Sequence, residues 1–347
     1  MSWLIYGANG YTGELVARLA VARGQRPVLT GRRSGAVATL AAELGLEHRI
    51  ADLADGAQLR RLTADVALVA HCAGPFSATS APMVAACLDT GTHYLDVTGE
   101  IDVFEAIYRR HAEAVDAGVV LLPGAGFDVV PTDCLAGLLS ASLPGATALE
   151  LAFRAGGGMS TGTRRSSLEG LAAGTRRRVD GTLVSTPFGV PSRIVPFPSG
   201  PRRVGAVRWG DLASAYRSTG IPTITTYTVL PPGRTVRPGA ALLRWGPVRR
   251  LASRGVPGGG PDRARRAASR SEVWGEVSAP DGTRHSATLI GPNGYDLTAD
   301  SVVRAAAVLL AGGIEPGAHT PATALGTGFA QTLDGVRITA VATGTDS

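Results

Sequence analysis

The chain has no lysine: all 34 of its basic residues are arginine. This excludes Schiff-base catalysis and any mechanism that depends on a catalytic lysine. Cysteine is nearly as scarce. Cys72, Cys87 and Cys134 are odd in number, scattered and set among apolar residues. They exclude a disulfide framework and a thiolate metal cluster, and they read as reduced, buried thiols. No run of 18 uninterrupted apolar residues occurs, so no transmembrane segment is expected. The opening Met1-Ser2-Trp3-Leu4-Ile5-Tyr6 leads directly into a strand and lacks the basic-then-apolar layout of a secretory signal, so a cytoplasmic location is expected.

Charge is unevenly placed. Residues 231–270 hold ten arginines against one acid, Asp262, whereas residues 1–128 carry ten arginines against fourteen acids. The net charge of +6 therefore belongs to one segment and does not indicate a nucleic-acid-binding fold. That segment reads either as a solvated flap or as a docking element for an acidic partner, such as an acyl carrier protein, or for a phosphopantetheine or coenzyme A phosphate. Residues 239–253, with Leu242, Leu243, Trp245 and Leu251 among arginines, also suit peripheral contact with a membrane surface.

At 347 residues the chain suggests two domains. Residues 3–122 alternate short apolar runs with amphipathic stretches. Trp3–Tyr6, Pro27–Thr30, His48–Ala51, Val66–Ala70, His93–Val97 and Val119–Leu122 read as strands, and 12–23, 35–44, 55–63, 77–90 and 101–117 as helices. This rhythm predicts an α/β doubly wound parallel sheet over residues 1–130, with 297–347 returning to it. A second α/β domain with a mixed sheet, for substrate or dimerisation, is expected over 131–296. In it, 130–142 and 163–174 read as helices, 147–154 as a strand and 178–230 as antiparallel strands. Residues 271–291 read as a hairpin turning at Asp281-Gly282. Near the end, 297–311 and 321–333 read as helices and Val336–Val341 as a strand.

Gly7-Ala8-Asn9-Gly10-Tyr11-Thr12-Gly13 follows the first strand and opens the first helix. A turn at Gly7, backbone approach at Gly10 and close helix–strand packing at Gly13 make a pyrophosphate cradle at a helix N-terminus. The second strand then runs into Thr30-Gly31-Arg32-Arg33. An NAD-binding chain normally ends this strand with an acid for the ribose hydroxyls. Arginines in its place suit a 2′-phosphate, so NADP(H) is the expected cofactor. Gly7, Asn9, Gly10, Tyr11, Thr12, Gly13, Gly31, Arg32 and Arg33 are its candidate ligands. Topology adds Asp52 and Leu53 beside the adenine, then Ala73, Gly74, Pro75 and Thr98 on the nicotinamide side. No metal is expected.

Reduction also needs a proton donor or a polarising group. Tyr94, Asp96 and Thr98 share one face of the fifth strand by the period of two, with His93 on the other. Asp128 follows the sixth strand. Tyr94, Asp96 and Asp128 are the candidate catalytic residues. Each has a bland alternative as a core tyrosine or as a turn or interface carboxylate. Gly158-Met159-Ser160-Thr161-Gly162 matches a hydrolase nucleophile elbow, with Asp296 and His319 later in the chain, but hydrolysis leaves the nucleotide motif without a purpose.

The motifs G7ANGYTG13, T30GRR33, H71CAGPF76, C87LDTGTHYLDVTGE100, P123GAGFDVVPTD133, G158MSTGT163, G258GGP261, G294YDLTAD300 and T320PATALG326 resemble those of the saccharopine dehydrogenase-like oxidoreductases. That group includes bacterial trans-acting enoyl reductases. The resemblance spans nearly the whole chain. It implies a Rossmann domain, a second domain with a mixed sheet, C-terminal elements that return to the first domain, and a nicotinamide-dependent reductase. It does not imply a substrate. Short-chain dehydrogenases share the glycine spacing, but their Tyr-x-x-x-Lys pair cannot exist here.

The expected activity is therefore NADPH-dependent reduction of a C=C (enoyl) or C=N bond in a small or acyl-carrier-bound substrate, in natural-product or lipid biosynthesis. A homodimer is a further expectation. The rival reading is a non-catalytic NADP(H)-binding sensor, or a protein whose cofactor is structural.

Overall fold

A computed structural model describes residues 2–164, 174–229 and 259–345. Most of the arginine-rich segment, residues 230–258, and part of the helix expected over 163–174 lie outside the described residues. The first half runs β1 (Trp3–Tyr6), α1 (Tyr11–Ala22), β2 (Val28–Gly31), α2 (Ser34–Leu44), β3 (His48–Ile50), α3 (Gly56–Ala64) and β4 (Leu68–His71). It continues with α4 (Phe76–Thr90), β5 (His93–Asp96), α5 (Ile101–Tyr108), α6 (His111–Asp116) and β6 (Val120–Leu122). Next come α7 (Val130–Ser142), β7 (Ala148–Ala155), β8 (Thr175–Val179), β9 (Thr182–Thr186), β10 (Ser192–Phe197), β11 (Gly200–Ala206), α8 (Asp211–Thr219) and β12 (Thr223–Val229). The described chain then gives α9 (Arg263–Ala267), β13 (Ser271–Ser278), β14 (Thr283–Gly291), α10 (Gly294–Ala311), β15 (Gly317–Ala318), α11 (Pro321–Leu325), β16 (Arg337–Ile338) and β17 (Ala342–Thr345).

Residues 1–130 and 295–326 make one compact unit. Its seven strands lie in the order β15-β6-β5-β4-β1-β2-β3 and all pair in parallel. Parallel strands covered on both faces need unbroken apolar runs, and β1 and β4 are buried at every position. The crossover helices place small apolar residues on the sheet: α1 buries Gly13, Val16, Ala17 and Ala20. Strand order reverses between β1 and β4, which opens a crevice at the carboxyl ends of the strands.

One expected helix is divided. The stretch 101–117 breaks at Arg109-Arg110 into α5 and α6. The break brings His111 to the sheet edge, where its Nδ1 accepts the amide of Ala318 at 3.0 Å and helps seat β15 against β6.

Residues 131–294 and 327–347 make the second unit. Its mixed sheet follows β10-β11-β12-β7-β13-β14-β16, with β8 and β9 attached through β12 and β17 paired to β14. Ala152, Val195, Phe197, Val204, Ala206, Tyr227 and Trp274 form a core on this sheet. The β13–β14 hairpin turns at Asp281-Gly282, where the Asp281 carboxylate accepts the amide of Thr283 at 2.9 Å.

Three expectations need correction. Residues 178–230 are not all strand, because α8 interrupts them, burying Leu212, Ala213 and Ala215 and ending at left-handed Gly220. The helix expected over 321–333 stops at Gly326 and resumes only as a 3₁₀ turn at Phe329–Thr332. The whole of 297–347 was expected to return to the first sheet. Instead the chain past Gly326 joins the second unit, because β16 and β17 find their hydrogen-bond partners on β14. Among the described residues, no helix is long and apolar enough to cross a membrane.

Candidate active site in the first unit

The glycine turn leaves no room for side chains where a pyrophosphate would approach. Gly7 has φ +82°, and a Cβ there would lie 2.8 Å from the Ala73 Cβ. A Cβ on Gly13 would lie 2.3 Å from the Gly7 carbonyl oxygen. The turn is held by the amides of Gly7 and Ala8, both donating to the Thr30 carbonyl at 2.8 and 3.1 Å. Gly10 caps α1 without a side-chain partner, so the motif offers backbone rather than side-chain donors at that helix end. Thr12 lies partly buried in the first turn. Asn9 reaches across to β2, its Oδ1 3.0 Å from where a Cβ on Gly31 would sit. Tyr11 packs edge-on against Tyr295 from the returning segment, with ring centroids 4.9 Å apart.

At the end of β2, Arg32 and Arg33 are exposed, and among the described residues no acid forms an ion pair with either. Tyr6 marks where this end converges. Its hydroxyl donates to the Ala51 carbonyl at 3.0 Å. Burial foremost, then the Asp52 charge, raises its pKa to about 12 against the opposing pull of Arg32. Asp52 caps its own turn by accepting the Ala54 amide at 3.0 Å, and Leu53 beside it is partly buried. This set fits NADP(H): a backbone cradle too tight for side chains, and two guanidinium groups open to a phosphate.

The other end of the crevice is enclosed. The Tyr94 hydroxyl donates to Asp96 Oδ2 at 2.8 Å, while Oδ1 accepts the amides of Thr98 and Gly124, each at 2.9 Å. Tyr94, Asp96 and Thr98 are fully buried. Burial raises the Asp96 pKa to about 6 against those donors, and it raises Tyr94 well above 10.0. Asp96 thus ties the turn after β5 to the turn after β6, and Tyr94 braces it. The residues pair across one strand face as the period of two predicts, while His93 turns away and accepts the Val120 amide at 3.0 Å.

Asp128 stands differently. The residue is partly exposed, yet its carboxyl is enclosed, and burial with the nearby Glu100 charge raises its pKa to about 7. Its Oδ2 lies 3.0 Å from where a Cβ on Gly99 would sit. The loop that carries it is pegged from α10, since the Phe127 amide donates to Thr298 Oγ1 at 2.9 Å.

Ala73, Gly74 and Pro75 form the turn between β4 and α4, and Thr79 holds it by reaching the Ala73 and Pro75 carbonyls at 2.6 and 3.0 Å. His71 lies beneath, fully buried among Tyr6, Phe76 and Tyr94. Burial lowers its pKa to about 3, so it is a neutral packing residue bonded through Nε2 to Thr79. The Glu100 carboxylate caps α4 by accepting the amides of Phe76 and Ser77 at 2.9 and 2.8 Å. Topology already places Glu100, with Thr98 and Gly99, at this opening, whereas Tyr295 and Thr298 were not among the sequence-derived candidates. Both act through tertiary contacts, and only their place within the family-like motifs could have singled them out.

Residues 3–122 match the saccharopine dehydrogenase NADP binding domain. A Mycobacterium tuberculosis protein named, provisionally, a trans-acting enoyl reductase is 31% identical over 270 residues, covering 72% of this chain and 62% of that protein. The chain belongs to the saccharopine dehydrogenase-like family.

The Mycobacterium leprae trans-acting enoyl reductase is 33% identical over 138 residues, 38% of this chain and 33% of its own length. The human saccharopine dehydrogenase-like oxidoreductase is 28% identical over 152 residues, 38% and 35% respectively. The chain thus spans about 62% or less of the length of these curated relatives. The apo saccharopine dehydrogenase (L-Glu forming) of Saccharomyces cerevisiae shares the fold, with a TM-score of 0.65 at 14% identity, covering 98% of this chain and 100% of that one. NADP(H) is the cofactor of the first unit. Among the described residues, no cluster could hold a metal ion. In the nucleophile-elbow motif of the second unit, Ser160 Oγ accepts the Thr163 amide at 3.2 Å, as a helix cap does.

Proposed function

We propose that the chain is an NADPH-dependent oxidoreductase that reduces an activated C=C bond in an enoyl thioester, small or carrier-bound. C=N reduction is the nearest variant of the same chemistry. The observation that supports this reading is Asp128, whose carboxyl packs against Gly99 and whose pKa burial and the Glu100 charge raise to about 7, in a chain whose residues 3–122 match an NADP binding domain. Two-electron reduction of a double bond requires one hydride and one proton. NADPH supplies the hydride when it is bound. The proton is assigned to the Asp128 carboxyl, whose O–H bond breaks to leave a carboxylate that solvent reprotonates.

In this reading Gly7, Asn9, Gly10, Tyr11, Thr12 and Gly13 receive the pyrophosphate. Gly31, Arg32 and Arg33 receive the 2′-phosphate, and Asp52 and Leu53 border the adenine. Ala73, Gly74, Pro75 and Thr98 line the nicotinamide side. Tyr94 and Asp96 serve as positioning residues, since both carboxylate oxygens of Asp96 already accept hydrogen bonds within the protein. The enoyl assignment draws on the names of the mycobacterial relatives.

The test is NADPH oxidation against a panel of enoyl pantetheine thioesters, imines and ketones. Turnover of enoyl thioesters that Asp128→Asn lowers at least tenfold supports the reading. NADPH that binds but is never oxidised by any member of the panel overturns it in favour of a non-catalytic binding protein.

A further inference from the structure

We propose that a hollow at one end of the second unit's sheet is a binding site for the phosphate ester of a small organic molecule. The site belongs to this unit alone and is independent of the proposed reduction.

The hollow forms where three strands meet in register. β14 lies between β13 and β16, with Ile290 opposite Glu272 on one side and opposite Arg337 on the other. Residues directly opposite in a ladder share a face, so Glu272, Ile290 and Arg337 form one row. Ser271 pairs with Gly291 and its hydroxyl donates to the Pro292 carbonyl at 2.6 Å, which brings Arg270 to the same end. Arg270, Ile290, Pro292, Gly335 and Arg337 line a space of about 440 Å³. A space of that volume takes a small molecule rather than a bare ion. Between the two arginines its lining is apolar, and Ile290 is among the large apolar side chains that the fold leaves exposed. Gly335, at φ +74°, keeps the space open, since a Cβ there would touch the Pro292 ring at 3.8 Å.

Charge decides what the space takes. Arg270 and Arg337 are exposed, and among the described residues no carboxylate forms an ion pair with either. Arg270 uses only Nη1, which donates to the Ala267 and Ser269 carbonyls at 3.0 Å each. Those bonds fix the direction of the guanidinium and leave its remaining N–H groups for a ligand. The nearby acids do not neutralise the pair. Glu272 accepts from Arg154 and Ser199 at 2.9 and 2.7 Å, and neither it nor Asp334 lines the hollow. Residues 230–258 hold six arginines and no acid, so that stretch supplies no anion either. Two guanidinium groups on one small space suit a dianion better than a single carboxylate. A phosphate monoester carries about −1.5 to −2 at neutral pH, and its oxygens match guanidinium forks. The apolar residues between the arginines receive the organic part, which inorganic phosphate lacks.

Isothermal titration calorimetry at low salt tests this with hexyl phosphate, inorganic phosphate and hexanoate. Hexyl phosphate should bind the unaltered chain at least about tenfold more tightly than the other two. Equal affinity for inorganic phosphate overturns a site for an organic ester, and equal affinity for hexanoate overturns the phosphate assignment. No saturable binding overturns the site itself. Arg337→Gln removes a guanidinium that holds no other part of the protein, so the fold should persist with NADPH affinity unchanged. It should weaken hexyl phosphate at least about tenfold, as should Arg270→Gln. Unchanged affinity in either variant overturns the two-arginine site. Loss of binding in Arg32→Asp, with Arg337→Gln unaffected, places the phosphate in the nucleotide crevice and overturns it as well.

Discussion

At the end of β2, Arg32 and Arg33 extend into solvent with no acid paired to them among the described residues, whereas at the end of β5 the carboxylate of Asp96 is enclosed and bonded on both oxygens. The same sheet carries both ends, so the difference lies in what each has to do. A charged phosphate is best met by cations that keep their water until it arrives, since a buried, unpaired guanidinium would cost several kcal/mol to desolvate. A proton is best held where water is excluded and a neighbouring charge fixes the balance. In the proposed reading the open end selects a ligand, and the closed end, through Asp128 beside Asp96, stores a proton.

That contrast can be broken in order of expected effect. Gly13→Val should do most, because even a Cβ there meets the Gly7 carbonyl at 2.3 Å. NADPH binding, followed by cofactor fluorescence, should be lost by more than about 100-fold, and retained affinity would mean the phosphates lie elsewhere. Arg32→Asp acts at the open end. Losing a charge-assisted bidentate contact and placing an anion by the phosphate should weaken NADPH about 100-fold while leaving NADH within about threefold. Equal losses for both cofactors would contradict a 2′-phosphate role.

At the closed end, Asp128 holds its proton more tightly in the folded than in the unfolded chain, about 7 against 3.8. The stability it contributes is present below about pH 4 and lost as the pH rises toward 7. Denaturant titrations across that window should show a decline that Asp128→Asn flattens by about 2 kcal/mol, reduced from the full shift because the residue is partly exposed. Tyr94→Phe should have the smallest effect. It removes one donor to Asp96 and should cost about 1 kcal/mol, with NADPH affinity unchanged.

The open end was legible in the sequence and the closed end only in part. Glycine spacing and a strand ending in Arg32-Arg33 are local patterns whose chemistry can be read from a few consecutive residues. Six of the seven strands of the first sheet, all but β15, were legible in the same way, helped by strands such as β1 and β4 that are buried at every position and form short apolar runs. The partners of Asp96 were not. Gly124 is 28 residues away, and nothing in its local pattern marks its amide for that carboxylate. Alternation did place Tyr94 and Asp96 on one face, but it could not tell a proton donor from a brace. In the second unit α8 escaped notice because Thr, Ser and Gly around it suit strands as well as a short helix. The division at Gly326 turned on pairing with β14, a long-range choice with no local signature.

The peg from Thr298 onto the loop of Phe127 spans 171 residues, and β15 joins β6 across a similar interval. During synthesis the first six strands therefore emerge long before the pieces that finish their sheet. At roughly 5–20 residues per second, the stretch from Val130 to Ala318 takes on the order of 10–40 s to translate. Throughout that time the edge of β6 has no neighbour and the Asp128 loop has no peg. The nascent chain must stay out of aggregation on its own for that period, with no lysine on its surface to guard the waiting edge.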